Sequence, residues 1–380
     1  MKIKSKLPLV KPTIFTKMTN LANAHNALNL SQGFPDFDVD PKLIALVEHY
    51  MRTGFNQYAP MQGVLPLREK IGQKVKKIYN ADYDIDREIT ITSGATEALF
   101  AAITAVVNKG DEVIVLDPAY DSYVPVIELS GGKPIHVKLN YPDYSIDWDQ
   151  VKKRVSAKTR LLILNSPHNP TGSVLNCDDM GELIKIVEHN ALYILSDEVY
   201  EHIIFDGKKH ESISSYPALA AKSFVVSSFG KTYHATGWKI GYCLAPENLT
   251  KEFRKIHQYL TFSSNTAVQF AYAKFLKDEN AYLNLGPFYQ KKRDFFVSKL
   301  KKSRFKVLPC HGSYFQLLDY SEICDLPDTQ FSEMLTTDHK VASIPTSVFY
   351  KNKDDHKVLR FCFAKKDETL DKAALKLSGI

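Results

Sequence analysis

The chain is poor in the features that mark secreted, membrane-spanning or zinc-bound proteins. Its five cysteines, at 177, 243, 310, 324 and 362, are odd in number, widely scattered and contain no Cys-x-x-Cys pair. That argues against a disulfide framework or a zinc site and fits a reducing compartment, with buried, inert thiols as the expectation. Long apolar runs are missing too: the longest mostly apolar stretch, "ALFAAITAVV" at 98–107, falls well short of the ~20 residues a bilayer-spanning helix needs. The opening "MKIKSKLPLVKPT" is basic but has no apolar core of the kind a secretory signal carries. A cytoplasmic protein without membrane partners is therefore expected. No G-x-G-x-x-G occurs anywhere, which weighs against a dinucleotide-dependent dehydrogenase. Repeats and low-complexity tracts are absent as well.

The net charge is +6, yet no basic block stands behind it. The two "KKR" strings, at 152–154 and 291–293, sit in helix-like segments and read as solvated faces rather than a nucleic-acid patch. What is present is an ordinary globular composition, 44% hydrophobic and 24% charged over 380 residues. That is enough for one large domain, or for a large and a small one, with a substantial core.

Short β-branched runs alternate with amphipathic segments through the middle of the chain. "EITIT" (88–92), "DEVIVLD" (111–117), "KPIHVKL" (133–139), "RLLILN" (160–165), "LYILS" (192–196), "SFVVSS" (223–228) and "KIGYCLA" (239–245) read as seven buried strands, with helices such as 95–107 and 178–189 between most of them. This pattern predicts an α/β fold with a mainly parallel sheet covered by helices on both faces. Little chain separates the last run from its predecessor, so an antiparallel strand is expected there. The final third differs: one long helical stretch, roughly 265–302, leads into "SRFKVLPC", "SYFQLLDY", "VASIPTSVF" and "VLRFCFA", a strand-rich α+β segment.

Ligands of open parallel sheets bind beyond the carboxyl ends of the strands, so the residues that follow each run carry the functional signal. "SGATEAL" after the first run places small residues at a helix start, where free N–H groups and the helix dipole suit a phosphate, although the string alone reads more readily as a plain strand–helix turn. "SPHNPTG" (166–172) follows the fourth and is dense in turn formers. "DEVYEH" (197–202) follows the fifth, with Asp197 and Tyr200 three apart; by itself the Asp reads as a helix cap. "FGKTYHATGWK" follows the sixth and sets Lys231 after a glycine among hydroxyls and aromatics. A phosphate seat, a carboxylate, hydroxyl and amide donors and an amine at neighbouring strand exits match the needs of pyridoxal phosphate: a phosphate cradle, a partner for the pyridine nitrogen, donors for the ring oxygen and an amine for the aldehyde.

These strings, together with "LSQGFPDFD" (30–38), "NQYAPMQG" (56–63), "DPAYDSY" (117–123), "NSPHNPTG" (165–172), "SSFGKTYHATGWKIGYC" (227–243) and "LRFCFAKK" (359–366), occur in the order found in class I, fold-type I aminotransferases. Within that family the chain most resembles bacterial methionine aminotransferases and kynurenine/glutamine transaminases. The resemblance implies a large cofactor domain at 41–285 and a small C-terminal domain at 286–380 that the segment 1–40 joins. It also implies catalytic roles for Lys231, Asp197 and Tyr200. Lys231 forms the imine with pyridoxal 5′-phosphate and shuttles the Cα proton; Asp197 pairs with the pyridine nitrogen; Tyr200 and Asn169 bond the ring oxygen; Tyr120 stacks on the ring.

By the same resemblance the phosphate meets Gly94, Ala95, Thr96, Ser228 and Lys239, and Tyr58 reaches it from a neighbouring subunit, which implies a homodimer with shared sites. Arg360 clamps the substrate carboxylate, helped by Asn169 and Gly33, with Asn165 in support. Phe15, Tyr123 and a partner's Phe262 wall the side-chain pocket. No metal is expected. The implied reaction moves an amino group from methionine or another neutral or aromatic amino acid to a 2-oxo acid by a ping-pong route. A kynurenine/glutamine-type transaminase and a cysteine-S-conjugate β-lyase are the alternatives on the same site.

Overall fold

The seven apolar runs form one sheet in the computed structural model, which describes residues 3–8 and 10–380. We number its strands β1 (Ile89–Thr92), β2 (Glu112–Asp117), β3 (Lys133–Lys138), β4 (Thr159–Asn165), β5 (Tyr193–Asp197), β6 (Ser223–Ser228) and β7 (Gly241–Leu244). Their order across the sheet is β1-β7-β6-β5-β4-β2-β3. Every pair is parallel except those made by β7, which runs antiparallel to both β1 and β6. β1, β6 and β7 are apolar or small and almost wholly buried, as a sheet covered on both faces requires.

The reversal of β7 has a consequence for the site. Its register sets Gly241 beside Thr92 at the exit of β1 and beside Ser228 at the exit of β6. The segment entering β7, with Lys239, therefore reaches the same sheet edge as the parallel strands' carboxyl ends. One apolar cluster lies on each face of the sheet: the larger includes Leu67, Ile71, Val75, Leu162, Leu183, Tyr242 and Tyr272, and the other packs Leu99, Ile103, Ile127, Leu161 and Phe253.

The last third builds a four-stranded antiparallel sheet from Lys306–Val307 (β8), Phe315–Asp319 (β9), Ile344–Pro345 (β10) and Val358–Cys362 (β11). A separate cluster of aromatic and aliphatic side chains fills it, including Phe296, Phe331 and Phe361. The N-terminal segment is stitched to this part. Leu28–Asn29 pairs in parallel with Val341–Ala342, and Asp36 accepts from the Lys366 N–H and the Thr369 hydroxyl at the start of the helix Asp367–Ser378.

Two expectations need correction. The stretch 265–302 is not one helix: it breaks into Thr266–Phe275, Asn280–Leu283 and Leu285–Lys299. The polar "KDEN" at 277–280 interrupts the apolar pattern, and Gly286 packs so tightly that a Cβ there would meet the Ile204 carbonyl at 2.9 Å. "VASIPTSVF" supplies only two short strands, Val341–Ala342 and Ile344–Pro345, before a 3-10 turn over Thr346–Phe349. All five cysteines are free; Cys243, Cys310 and Cys362 are buried, Cys324 is half-buried and Cys177 is exposed. Among the described residues no helix is long and apolar enough to cross a membrane, and no cluster of side chains could hold a metal ion.

Candidate active site

A cavity of about 220 Å³ opens at the sheet edge where the strand exits converge. Gly94, Ala95, Thr96, Tyr120, Asn165, Asn169, Asp197, Tyr200, Ser228, Lys231 and Lys239 all line it. Residues up to 145 positions apart in sequence thus meet because the sheet order brings their strands side by side.

The helix Gly94–Val106 points its N-terminus into this cavity. Gly94 has φ +76°, a conformation that glycine adopts without strain. A Cβ there would lie 3.3 Å from Cε and 3.4 Å from Nζ of Lys239. The lysine side chain lies against the bare backbone, and a positive charge and free helix N–H groups face one space, as an anion seat needs. Gly241 completes the seat from behind: any side chain there would collide with Ala95 N at 2.9 Å and Ser227 O at 2.7 Å.

The register of β4 and β5 puts Asn165 beside Asp197. The Asn165 amide donates to the Asp197 carbonyl at 2.8 Å, and its Oδ1 accepts from the Asn169 N–H at 2.8 Å, so this one side chain ties the loop to the neighbouring strand. The Asp197 carboxylate is buried. Burial pushes it up to about 6, although Oδ2 accepts a hydrogen bond from the Tyr123 hydroxyl at 2.7 Å, which favours the ionised form. Tyr123 is therefore not a cavity wall as expected. The helix Tyr123–Leu129 turns it inward, where it is 3% exposed and braces Asp197 from below. Tyr120 lines the cavity with its ring edge-on to Tyr123 at 5.6 Å.

Lys231 lies in the short helix Phe229–Thr232 directly after β6. Its amine donates to the Tyr314 hydroxyl at 2.9 Å and to the Gly33 carbonyl at 3.2 Å, and the Tyr314 hydroxyl donates to the same carbonyl. Burial lowers the Lys231 amine to about 8. The side chain is half-buried because the cavity reaches it, and the protein packed around the amine governs its charge.

Arg360, on β11, is 1% exposed and does not itself line the cavity but reaches Asn169, which does. One terminal nitrogen donates to Asn169 Oδ1 at 2.7 Å and the other to the Ser31 carbonyl at 2.9 Å. Its Nε–H is buried with no partner among the described residues. The guanidinium lies 3.9 Å from the Phe315 ring centroid, 5.2 Å from that of Phe15 and 5.6 Å from that of Phe349. A buried cation with an unspent donor, framed by aromatic faces, suits a carboxylate next to an apolar side chain. Gly33 is tight here as well, since a Cβ would meet Phe315 at 2.8 Å.

Tyr58 and Phe262 lie apart from this cavity. They stand edge-to-face at 5.7 Å on the surface, 85% and 42% exposed; Tyr259, at the end of the helix that precedes Phe262, is 87% exposed. Phe262 also has φ +67°, a strained backbone for an aromatic residue.

Residues 25–377 match the family of class I and II aminotransferases. The chain belongs to that family. This aminotransferase is 50% identical to the methionine aminotransferase of Escherichia coli over 98% of its own length and 97% of that protein. It is 34% identical to the kynurenine–oxoglutarate transaminase of Dictyostelium discoideum, covering 95% and 92%. An Escherichia coli crystal structure assigned a methionine aminotransferase function superposes with a TM-score of 0.98 at 50% identity over 100% of both chains. That of N-succinyldiaminopimelate aminotransferase from Mycobacterium tuberculosis does so with 0.96 at 36%, again over 100% of both. Class I aminotransferases depend on pyridoxal phosphate, and the residues of this aminotransferase fit it: the Gly94 seat would fill with any Cβ, a buried carboxylate faces the cavity, and a lysine of lowered pKa sits within it.

Several parts of the aminotransferase site were not read from the sequence. Tyr314 sits in "SYFQLLDY", where it reads as a strand aromatic. Glu201, next to Tyr200, anchors a buried network: it accepts from Lys74 at 2.7 Å, Ser227 at 2.7 Å, Tyr242 at 3.1 Å and Tyr79. Burial alone would raise its carboxyl, but Lys74 and the other donors hold it far below the usual range. Glu97, one turn into the helix Gly94–Val106, accepts from the Ser93 N–H at 3.1 Å and bonds His257 Nδ1 at 2.9 Å. The only sequence signal for either was a charged residue inside a motif chosen for its neighbours.

Proposed function

We propose that this aminotransferase takes methionine as its preferred donor, with aromatic and other neutral amino acids as lesser ones, and passes the amino group to a 2-oxo acid. The observation that carries the reading is the single cavity that gathers Lys231, Asp197, Asn169, Tyr200 and the Gly94 seat. Pyridoxal phosphate, when bound, supplies the aldehyde that takes up the amino group and the electron-poor ring that shares the charge left when a Cα proton departs. Gly94, Ala95, Thr96, Ser228 and Lys239 would hold its phosphate, and Asp197 would keep a proton on the ring nitrogen. Asn169 and Tyr200 would bond the ring oxygen, with Tyr120 on the ring face. Arg360 and Gly33 would bind and orient the substrate carboxylate, and Lys231 would carry the proton to and from Cα.

Methionine is supported by the 50% identical relative and by the aromatic frame of Phe15, Phe315 and Phe349 about Arg360, which suits a thioether. The likeness to kynurenine transaminases favours kynurenine or glutamine as the competing donor. A cytoplasmic location goes with five free thiols. The protein works as a homodimer in this reading, with Tyr58 and Phe262 of the partner subunit completing each site; their exposure, like that of Tyr259, supports it.

The test is the absorbance of the cofactor-loaded enzyme on adding methionine without acceptor. The band moves to that of the aminated cofactor, and Lys231→Ala abolishes the change. An unmoved band that shifts with kynurenine or glutamine instead would replace methionine as donor, and pyruvate released from a cysteine S-conjugate would replace transfer by elimination. Mixing inactive Tyr58→Ala and Lys231→Ala subunits tests the shared site. About a quarter of the sites regain both residues if Tyr58 acts across the dimer, and none do if it acts within its own subunit.

A further inference from the structure

We propose that Tyr314 is a catalytic residue that holds the Lys231 amine with its lone pair facing the cavity. The inference rests on Lys231 being the base. The Tyr314 hydroxyl donates its one proton to the Gly33 carbonyl, so toward Lys231 it acts only as an acceptor. A neutral amine has two N–H bonds and one lone pair. Tyr314 Oη, at 2.9 Å, and the Gly33 carbonyl, at 3.2 Å, take both N–H bonds. The lone pair remains, and it lies on the side of the nitrogen away from both acceptors.

Both acceptors are uncharged. No carboxylate hydrogen-bonds this amine among the described residues, so no ion pair holds it as an ammonium. When the Cα–H bond breaks, its electron pair stays on the substrate side and the proton forms the third N–H bond of Lys231. That proton is the one left without a protein partner, and so the one free to be handed on.

Tyr314 is built to stay put and to stay protonated. It is 0% exposed, its ring is wedged against Tyr200 at 5.1 Å, Phe315 at 4.9 Å and Tyr289 at 5.7 Å, and burial pushes its hydroxyl far above the ordinary range. It therefore orients the amine and exchanges no proton with it. The glycine at 33 belongs to the same device: a Cβ there would strike Phe315 at 2.8 Å, lifting the carbonyl both side chains share.

The experiment compares Tyr314→Phe with Tyr289→Phe, whose neighbouring buried hydroxyl has no hydrogen-bond partner among the described residues. In Tyr314→Phe the kcat falls by about ten-fold or more with KM for the donor within about three-fold, and the deuterium isotope effect on kcat with Cα-deuterated methionine rises. Tyr289→Phe leaves both unchanged. In protein stripped of cofactor, the pH dependence of Lys231 labelling by trinitrobenzenesulfonate, read by peptide mass spectrometry, shifts in Tyr314→Phe and not in Tyr289→Phe. Equal effects of the two variants, or a Tyr314→Phe with unaltered labelling profile and isotope effect, would overturn the assignment. The labelling needs no substrate, and an unsuitable donor would show itself in the wild type, so failure of the methionine reading is told apart from failure of this one.

Discussion

The Tyr123 hydroxyl donates to Asp197 Oδ2 across 2.7 Å, from a side chain buried beneath the strand rather than lining the cavity. Burial raises this carboxyl to about 6, and the Tyr123 bond is the largest influence opposing it. The geometry therefore sets the ionisation of a carboxylate that lines the cavity. Removing the bond in Tyr123→Phe lets the Asp197 pKa climb further. The acid limb of the pH profile of kcat/KM moves up, by about one unit, so activity drops more at pH 6 than at pH 8. A limb that stays in place would show that Tyr123 only packs.

Asp197 and Lys231 also give the cofactor-free protein a distinctive dependence of stability on pH. Asp197 is shifted from 3.8 to about 6, so the folded state binds more protons than the unfolded one between these values. Stability therefore falls as pH rises through that window. Lys231 is shifted from 10.5 to about 8, so the folded state binds fewer protons there and stability rises with pH from about 8 to 10.5. Below pH 8 the lysine penalty is fully present. Lys231→Met abolishes the alkaline rise and stabilises the cofactor-free protein at pH 7 by at most about 3 kcal/mol, less where cavity water screens the amine. Urea unfolding across pH, at fixed protein concentration, reads both effects.

Among the described residues Arg360 makes two hydrogen bonds to protein oxygens and keeps a buried Nε–H without a partner. Lysine would preserve the charge but lose the planar fork that spans Asn169, Ser31 and a substrate carboxylate together. Arg360→Lys is expected to lower kcat/KM for methionine by about 2–3 kcal/mol, roughly 30- to 150-fold, while cofactor binding is retained. Steady-state kinetics beside a cofactor titration separates the two.

Lys74 and Glu201 form a buried pair at 2.7 Å, with side chains 5% and 4% exposed. Lys74→Met leaves a buried carboxylate without its cation and should cost about 3–5 kcal/mol. Adding Glu201→Gln should recover part of that loss, because the desolvated charge goes with it. Denaturant midpoints of the single and double variants measure the coupling.

Much of this protein is determined by its sequence alone. Seven β-branched runs separated by amphipathic segments dictate a covered, mainly parallel sheet, and the strings at the strand exits name the chemistry, because a strand's end is a local property of the chain. Lys231, Asp197, Asn169 and the Gly94 turn are placed at strand exits for that reason, and the family resemblance of the strings around them implies their roles. Side-chain direction and long-range partnership are not. Tyr123 looks like a pocket aromatic until a helix turns it beneath Asp197. Tyr314 looks like a strand residue until it meets Lys231, 83 positions away. Glu201 becomes an anchor only when Lys74, 127 positions earlier, is folded against it. The helix expected over 265–302 breaks at the polar string 277–280, a local signal, and its last segment begins where Gly286 packs against Ile204, a partner that no local pattern names. Periodicity and turn chemistry act between near neighbours in sequence. Which donor meets which acceptor is decided by the sheet order, and only the folded chain fixes that.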